Sequence, residues 1–333
     1  MTQIDKLEEY KLESGELTPP QLFPYWARIL DKWDSYAISS KGQHLNFYIV
    51  ETSFGKVLIS MPYIGYGSCF TSTEGIKELF SDLEAFARDN DCLTMSVCTH
   101  PLATVPFDKY HDLFDYDYSY KNFCQISTID KHPLESVSHK RRMAFNSEIA
   151  RCSREGYIID KHPDAEIYDQ WLECYKSRVT DLDAIPFPDW FFDNYYRESQ
   201  KDDKVDFWVV RDESTILGGI FCARGNNIVD YCTSAFKTEY RKLYPTTYIL
   251  NEYFNDAVSR GIKYFNWQSS PVKNEGTYNF KKRWGAEEYE HYYFAKTLAP
   301  LENILEIPLQ KIKKELVGCY MLPYSLWGEE PKK

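Results

Sequence analysis

Between Gly261 and Gly285 the chain sets hydrogen-bonding side chains, a turn and three consecutive cations side by side. Lys263–Gln268 is predicted to be a short aromatic strand, with Tyr264, Asn266 and Gln268 on one face and Phe265 and Trp267 on the other. The strand leaves through Ser269, Ser270 and Pro271, and a turn runs to Gly276. A short helix follows, carries Lys281, Lys282 and Arg283, and stops at Gly285. Polar groups at a strand exit followed by a cationic helix suit an anionic substrate, because the cations can neutralise phosphate. At about 100° per residue only one or two of three consecutive cations face one cleft. Lys281 and Lys282 are expected there, and solvated surface charge is the competing reading. Asn266 and Gln268 are candidate catalytic hydrogen-bond donors. Asp230, on an earlier strand, is the candidate general base, unless it faces solvent or a salt bridge. Tyr231 and Thr233 are further candidates on that strand.

A second basic stretch runs from Ser138 to Gly156. On a helix, Lys140, Ser147, Arg151 and Arg154 share one face, while Phe145, Ile149 and Cys152 share the opposite one. Such a helix is pinned to a core and shows a basic stripe. Lys140, Arg151 and Arg154 are either a second phosphate-binding patch or surface charges paired with acids. The pentapeptide Ile-Asp-Lys-His-Pro occurs at 129–133 and again at 159–163. Proline suits the first turn of a helix and pushes the residue before it out of the helical region. The repeat therefore reads as strand-to-helix punctuation, with no role for His132 or His162.

These residues need a scaffold, and 333 residues suffice for two domains with real cores. A hydrophobic content of 43% indicates a globular chain. No run approaches the ~18 consecutive apolar residues of a membrane span, and the N-terminal residues show no apolar signal region. The nine cysteines form no CxxC pair, which fits free thiols in a reduced cytoplasmic compartment. The seven histidines include no HExxH, and no metal is expected. A net charge of −11 argues against a general nucleic-acid coat. The 27 tyrosines fit tyrosine-rich sheet faces or a groove for sugars or bases.

The first half reads as a mixed α/β unit: a hairpin over Leu45–Glu51 and Lys56–Ser60, an amphipathic helix over Glu74–Asn90, and strands at Leu93–Cys98 and Phe123–Ile129. The second half reads strand, two helices, a three-stranded meander, a helix over about Pro245–Arg260, a strand, a short helix and a strand. One further amphipathic helix is expected over Leu301–Val317. The expected domains are a lead-in at 1–44, an N-terminal domain at 45–135, a C-terminal domain at 136–298, and a helix and tail at 299–333.

The second-half order is that of the acetyltransferase (GNAT) fold. Its detail resembles the Fem family of non-ribosomal peptidyl transferases, which build peptidoglycan cross-bridges, and their BioF2-like or CelD-like relatives. Lys140-Arg141-Arg142…Arg154-Glu155-Gly156 is similar to the family's K-x-R…R-K-A-x-K-x-G, and Tyr278-Asn279-Phe280-Lys281-Lys282-Arg283-Trp284-Gly285 to its F-K-K-x-[FW]-G. Arg260–Asn266 and the loop Met61–Gly67 also look like family segments. The resemblance covers about residues 40–298. It implies an α/β mixed-sheet protein with tandem GNAT-like domains, the first one degenerate.

The activity implied is an acyl- or aminoacyl-transferase that forms an amide on an amine of a sugar- or peptide-linked acceptor. The alternatives are an N-acyltransferase using acyl-CoA or acyl carrier protein, and a degenerate GNAT-like ligand-binding protein. The resemblance implies a small-molecule or cell-envelope-precursor substrate, no resident cofactor, and acyl-CoA or aminoacyl-tRNA as donor, with tRNA as a partner. CoA-dependent members carry a glycine-rich turn before the long helix, where backbone N–H groups cradle a pyrophosphate. Here that place reads Tyr240-Arg241-Lys242-Leu243-Tyr244-Pro245-Thr246-Thr247, without glycine, leaving Arg241 and Lys242 as the cofactor-binding candidates. The long helical-hairpin arm of some Fem members is also missing. The oligomeric state stays open.

Overall fold

The computed structural model describes residues 3–10, 17–60, 62, 63, 65–270 and 272–329. Met61 and Ile64 of the first-half loop, and Pro271 of the strand exit, lie outside the described residues. The chain folds as two compact units: Met1–Cys124 with Tyr289–Lys333, and Gln125–Glu288.

The first unit contains β1 (Gln3–Lys6), α1 (Pro24–Ile29), β2 (Asp34–Ser40), β3 (Gln43–Thr52), β4 (Gly55–Ile59), α2 (Ile76–Asp89), β5 (Cys92–Cys98) and α3 (Tyr110–Leu113). β1 to β4 form an antiparallel meander and β5 joins β4 in parallel. The apolar face of α2 (Ile76, Leu79, Phe80, Leu83 and Ala87) is buried against Phe47, Leu58, Met95 and Val97 of the sheet. Residues 34–40, expected to lie in an irregular lead-in, are a strand because all of them pair with β3, from Asp34↔Ile49 to Ser40↔Gln43.

The second unit is built around the end of β6 (Tyr118–Thr128), from Gln125 onward, with α4 (Pro133–Ser136), α5 (His139–Arg154), β7 (Ile158–Asp160), α6 (Ala165–Asp181), α7 (Asp189–Ser199), β8 (Val205–Arg211), β9 (Ile216–Arg224), β10 (Ile228–Phe236), α8 (Pro245–Ser259), β11 (Tyr264–Asn266) and α9 (Gly276–Arg283). Its strands neighbour one another in the order β6-β11-β10-β9-β8-β7. Only β10 and β11 run parallel; the other pairs are antiparallel. Both copies of the repeated pentapeptide stand between a strand and a helix, β6 and α4 for the first, β7 and α6 for the second. Ile249, Leu250, Tyr253, Phe254 and Ala257 of α8 bury their stripe against Phe265 and Trp267. Gly261, at φ 73°, ends that helix in the left-handed conformation that glycine adopts without a Cβ clash, and the Ile262 N–H bonds the Ala257 carbonyl.

The chain ends with β12 (Glu287–Thr297), whose residues from Tyr293 pair with β5, then α10 (Leu301–Leu305) and α11 (Leu309–Glu315). The single helix expected over Leu301–Val317 is two short ones, because Pro308 has no N–H to continue the first and instead caps the second. Among the described residues no helix is long and apolar enough to cross a membrane.

Two histidines are locked inside the first unit. His100 and His291 are each 1% exposed, and both rings meet Tyr66 edge-on, at 5.2 and 5.0 Å. Burial pushes His100 down to about 3, with His291 adding to the effect, and pushes His291 down to about 4. The unfolded chain therefore binds protons that the folded one refuses, and stability falls as pH drops from about 6.5 towards 4. A tenfold difference in proton affinity between the two states is worth ~1.4 kcal/mol, so the loss from the two rings reaches several kcal/mol. The melting temperature, followed by circular dichroism, should be flat between about pH 7 and 8 and fall steeply between about pH 6.5 and 4. His291→Phe should flatten that slope, and an unchanged slope would contradict the account.

Candidate functional site

The parallel ladder of β10 and β11 has three registers: Ile228↔Tyr264, Val229↔Phe265 and Asp230↔Asn266. β11 then ends, while β10 continues along β9 to Phe236, with a bulge between Tyr231 and Thr233. At the end of the ladder, side chains replace backbone bonds. Asp230 and Asn266 are both 0% exposed. Asn266 Nδ2 donates to Asp230 Oδ1 at 3.0 Å, and Asn266 Oδ1 accepts the Gln268 N–H at 3.0 Å. Gln268 lies at φ 62°, a left-handed conformation uncommon outside glycine, so the strand alternation expected through Gln268 stops at Asn266.

A buried ammonium holds the departing chain. Lys281 is 4% exposed and donates to the carbonyls of Gln268 at 3.0 Å and Ser269 at 2.8 Å. Gln125 of β6 completes the frame: its carbonyl accepts the Trp267 N–H, its Oε1 accepts the Ser270 hydroxyl, and its Nε2 donates to the Tyr278 carbonyl. Ser127, two residues on, accepts from Trp267 Nε1 at 2.9 Å and donates to the Trp284 carbonyl at 3.2 Å. α9 is docked by Trp284, which is fully buried with its ring 4.3 Å from that of Phe145 of α5. Gly285, at φ 78°, lets the chain turn out of α9.

The structure thus gathers Asp230, Asn266, Gln268 and Lys281 into one hydrogen-bonded line and separates the remaining cations from it. Lys282 is exposed, with its ammonium 5.8 Å from the Tyr278 ring centre. Arg283 lies over the Phe145 ring at 4.6 Å and forms an ion pair with Glu148 of α5, Nη2 to Oε1 at 2.6 Å. Glu148 Oε2 also accepts the Thr247 hydroxyl in the first turn of α8 at 2.8 Å. Arg151 donates to the Lys242 carbonyl at 3.2 Å and approaches the Tyr244 ring, which brings α5 beside the exposed Arg241–Lys242 turn. Arg154 bonds the Ala150 carbonyl of its own helix. Lys140 is exposed near the start of α5, about 16 Å along the axis from Arg151.

Cys232, at the β10 bulge, accepts the Tyr195 hydroxyl at 3.3 Å, and burial pushes its thiol far above the ordinary range. It is therefore a neutral thiol near pH 7, unsuited to nucleophilic attack. Among the described residues no cluster of three or more His, Cys, Asp or Glu could hold a metal. A cavity of about 770 Å³ lies along α6, away from this line, and Glu166, Asp169, Glu173, Asp181 and Glu239 make it predominantly acidic despite Arg178 and Lys237.

Residues 139–282 match the family model described as an acetyltransferase (GNAT) domain. The second unit, which holds that match, has the GNAT fold. Solved structures of similar fold include FemX, with a TM-score of 0.62 and 13% identity over 82% of this chain and 91% of that one. L-PGS from Bacillus licheniformis aligns with a TM-score of 0.59 and 15% identity over 89% and 92%. The C-terminal domain of a protein described as a lysylphosphatidylglycerol synthetase, from Agrobacterium fabrum, aligns at 0.55 and 10% identity over 90% and 94%. No curated protein matches the sequence. The mixed α/β architecture and the GNAT assignment expected from the sequence agree with these findings, and the domain class is one of acyl transfer.

Sequence reasoning missed Gln125 and Glu148. Gln125 sits in a strand whose pattern marks nothing unusual. Glu148 had a signal, as the one carboxylate within a helix carrying Lys140, Arg141, Arg142, Arg151 and Arg154. Lys281→Met removes the ammonium that two backbone carbonyls use, and should cost about 1.5–3 kcal/mol in urea unfolding. Lys282→Met should stay within about 0.5 kcal/mol. Equal effects would contradict the separation of the two lysines.

Proposed function

We propose that this GNAT domain transfers an acyl or aminoacyl group to an amine on a sugar- or peptide-linked acceptor, with aminoacyl-tRNA as donor. The observation that carries the choice of donor is the N-terminus of α8. Tyr244 caps it at φ 57°, Pro245 contributes no N–H, and the Glu148 carboxylate accepts the Thr247 hydroxyl in the first turn while pairing with Arg283 of α9. A pyrophosphate brought there would meet Pro245 without an N–H and the Glu148–Arg283 ion pair beside Thr247, in place of a glycine-rich cradle. Arg241, Lys242 and Arg151 remain as cations for the backbone of a nucleic-acid donor or the diphosphate of an acceptor. The likeness in fold to FemX and to a lysylphosphatidylglycerol synthetase domain, whose name describes an aminoacylated lipid, supports the same reading. Nine free cysteines fit action in the cytoplasm, on a cell-envelope precursor.

In this reaction the amine nitrogen bonds the acyl carbon and the ester bond to the tRNA ribose breaks. The ribose oxygen departs with the proton that the amine gives up. Asp230, fully buried and bonded to Asn266, acts as a positioning residue that holds the strand end.

A second reading, transfer from acyl-CoA, is favoured by the description of the matching family as acetyltransferases. Thermal shifts of the full chain with alanyl-tRNA, lysyl-tRNA, UDP-linked amino sugars and acetyl-CoA separate the two. Stabilisation by a charged tRNA, with none by acetyl-CoA, is expected. Stabilisation by acetyl-CoA alone would overturn the donor assignment.

A further inference from the structure

We infer that the Gln268 carboxamide binds the oxygen of the transferred acyl group; this rests on the acyl-transfer reading and adds the group that grips the reacting carbonyl. Among the described residues, Gln268 Nε2 is buried and has no hydrogen-bond partner. A buried amide donor left unpaired is costly, and native folds rarely retain one without a use. The backbone N–H and carbonyl of Gln268 are, by contrast, both committed. The Gln268 N–H bonds Asn266, and its carbonyl accepts from Lys281 at 3.0 Å and from the Gln125 N–H at 3.4 Å. The neighbouring candidate carboxamide, Asn266, is spent on Asp230 and on the Gln268 N–H. Gln268 therefore combines a fixed backbone in a left-handed conformation with a side chain that can rotate without breaking a bond at its Nε2.

Such an arrangement offers a neutral N–H donor just where β11 leaves β10. The matching chemistry is a carbonyl oxygen, from the ester of an aminoacyl-tRNA or the thioester of an acyl-CoA. When the amine attacks, that oxygen gains negative charge and the hydrogen bond strengthens, as oxyanion stabilisation requires. No proton is transferred to or from Gln268 in this step.

Gln268→Met keeps the length of the side chain and removes the donor. In the free protein, the variant should melt about 2–4 °C higher than wild type, because the unpaired amide is gone. Binding should be measured for alanyl-tRNA against uncharged tRNA, and for acetyl-CoA against CoA. In wild type the productive donor should bind more tightly than its deacylated form. In Gln268→Met that preference should shrink about 3- to 10-fold, while binding of the deacylated form stays unchanged. The pair that shows the preference names the source of the acyl group. A variant less stable than wild type, or one that keeps the full preference, overturns the assignment. Wild type without preference in either pair overturns the acyl-transfer reading and the assignment with it.

Discussion

The ladder between β10 and β11 stops at Asp230 and Asn266, and the fold of the second unit depends on how that ending is held. Two parallel strands sharing three registers have little backbone bonding to fix where they separate. Here the Asn266 carboxamide bridges the Asp230 carboxylate and the Gln268 N–H, and the Lys281 ammonium takes up the next two carbonyls. Charge-assisted bonds of this kind are roughly twice as strong as neutral ones, and more so away from water. The same bonds fix a left-handed residue at the strand exit, a conformation that persists only where its surroundings over-determine it.

The placement of Lys281 rests on packing. Trp284 is buried against Phe145 and Phe254, which docks α9 with Tyr278 and Lys281 inward and Lys282 outward. α5 supplies Phe145 to that contact and Glu148 to the ion pair with Arg283, so one helix sets the position of α9 and also bonds the first turn of α8 through Thr247. The two basic stretches are therefore coupled by a carboxylate between them, and the cations that stay exposed beside α5 lie on the Arg241–Lys242 turn.

Much of this was legible in the sequence. The apolar stripes of α2 and α8 and the alternation of the meander gave the element order, and the second-half order matches the GNAT domain found there. Gly261 marked a helix end because glycine alone enters the left-handed cap cheaply. Other features left little trace. Lys281, Lys282 and Arg283 are chemically alike in sequence, and only the burial of Trp284 and Tyr278 makes one of them internal. Nothing local marks Gln268 as left-handed, since its conformation is imposed by Asn266, Gln125 and Lys281 from other parts of the unit. β2 was hidden because its partner strand, and not its own pattern, makes residues 34–40 extended.

The central claim is that the acyl group is bound where β11 parts from β10. Amide hydrogen exchange on the full chain, with saturating alanyl-tRNA against uncharged tRNA, tests it without a substitution. Added protection over residues 266–270 and 231–236 is the expected result. Protection confined to the acidic cavity along α6, with exchange at the strand ending unchanged, would contradict it.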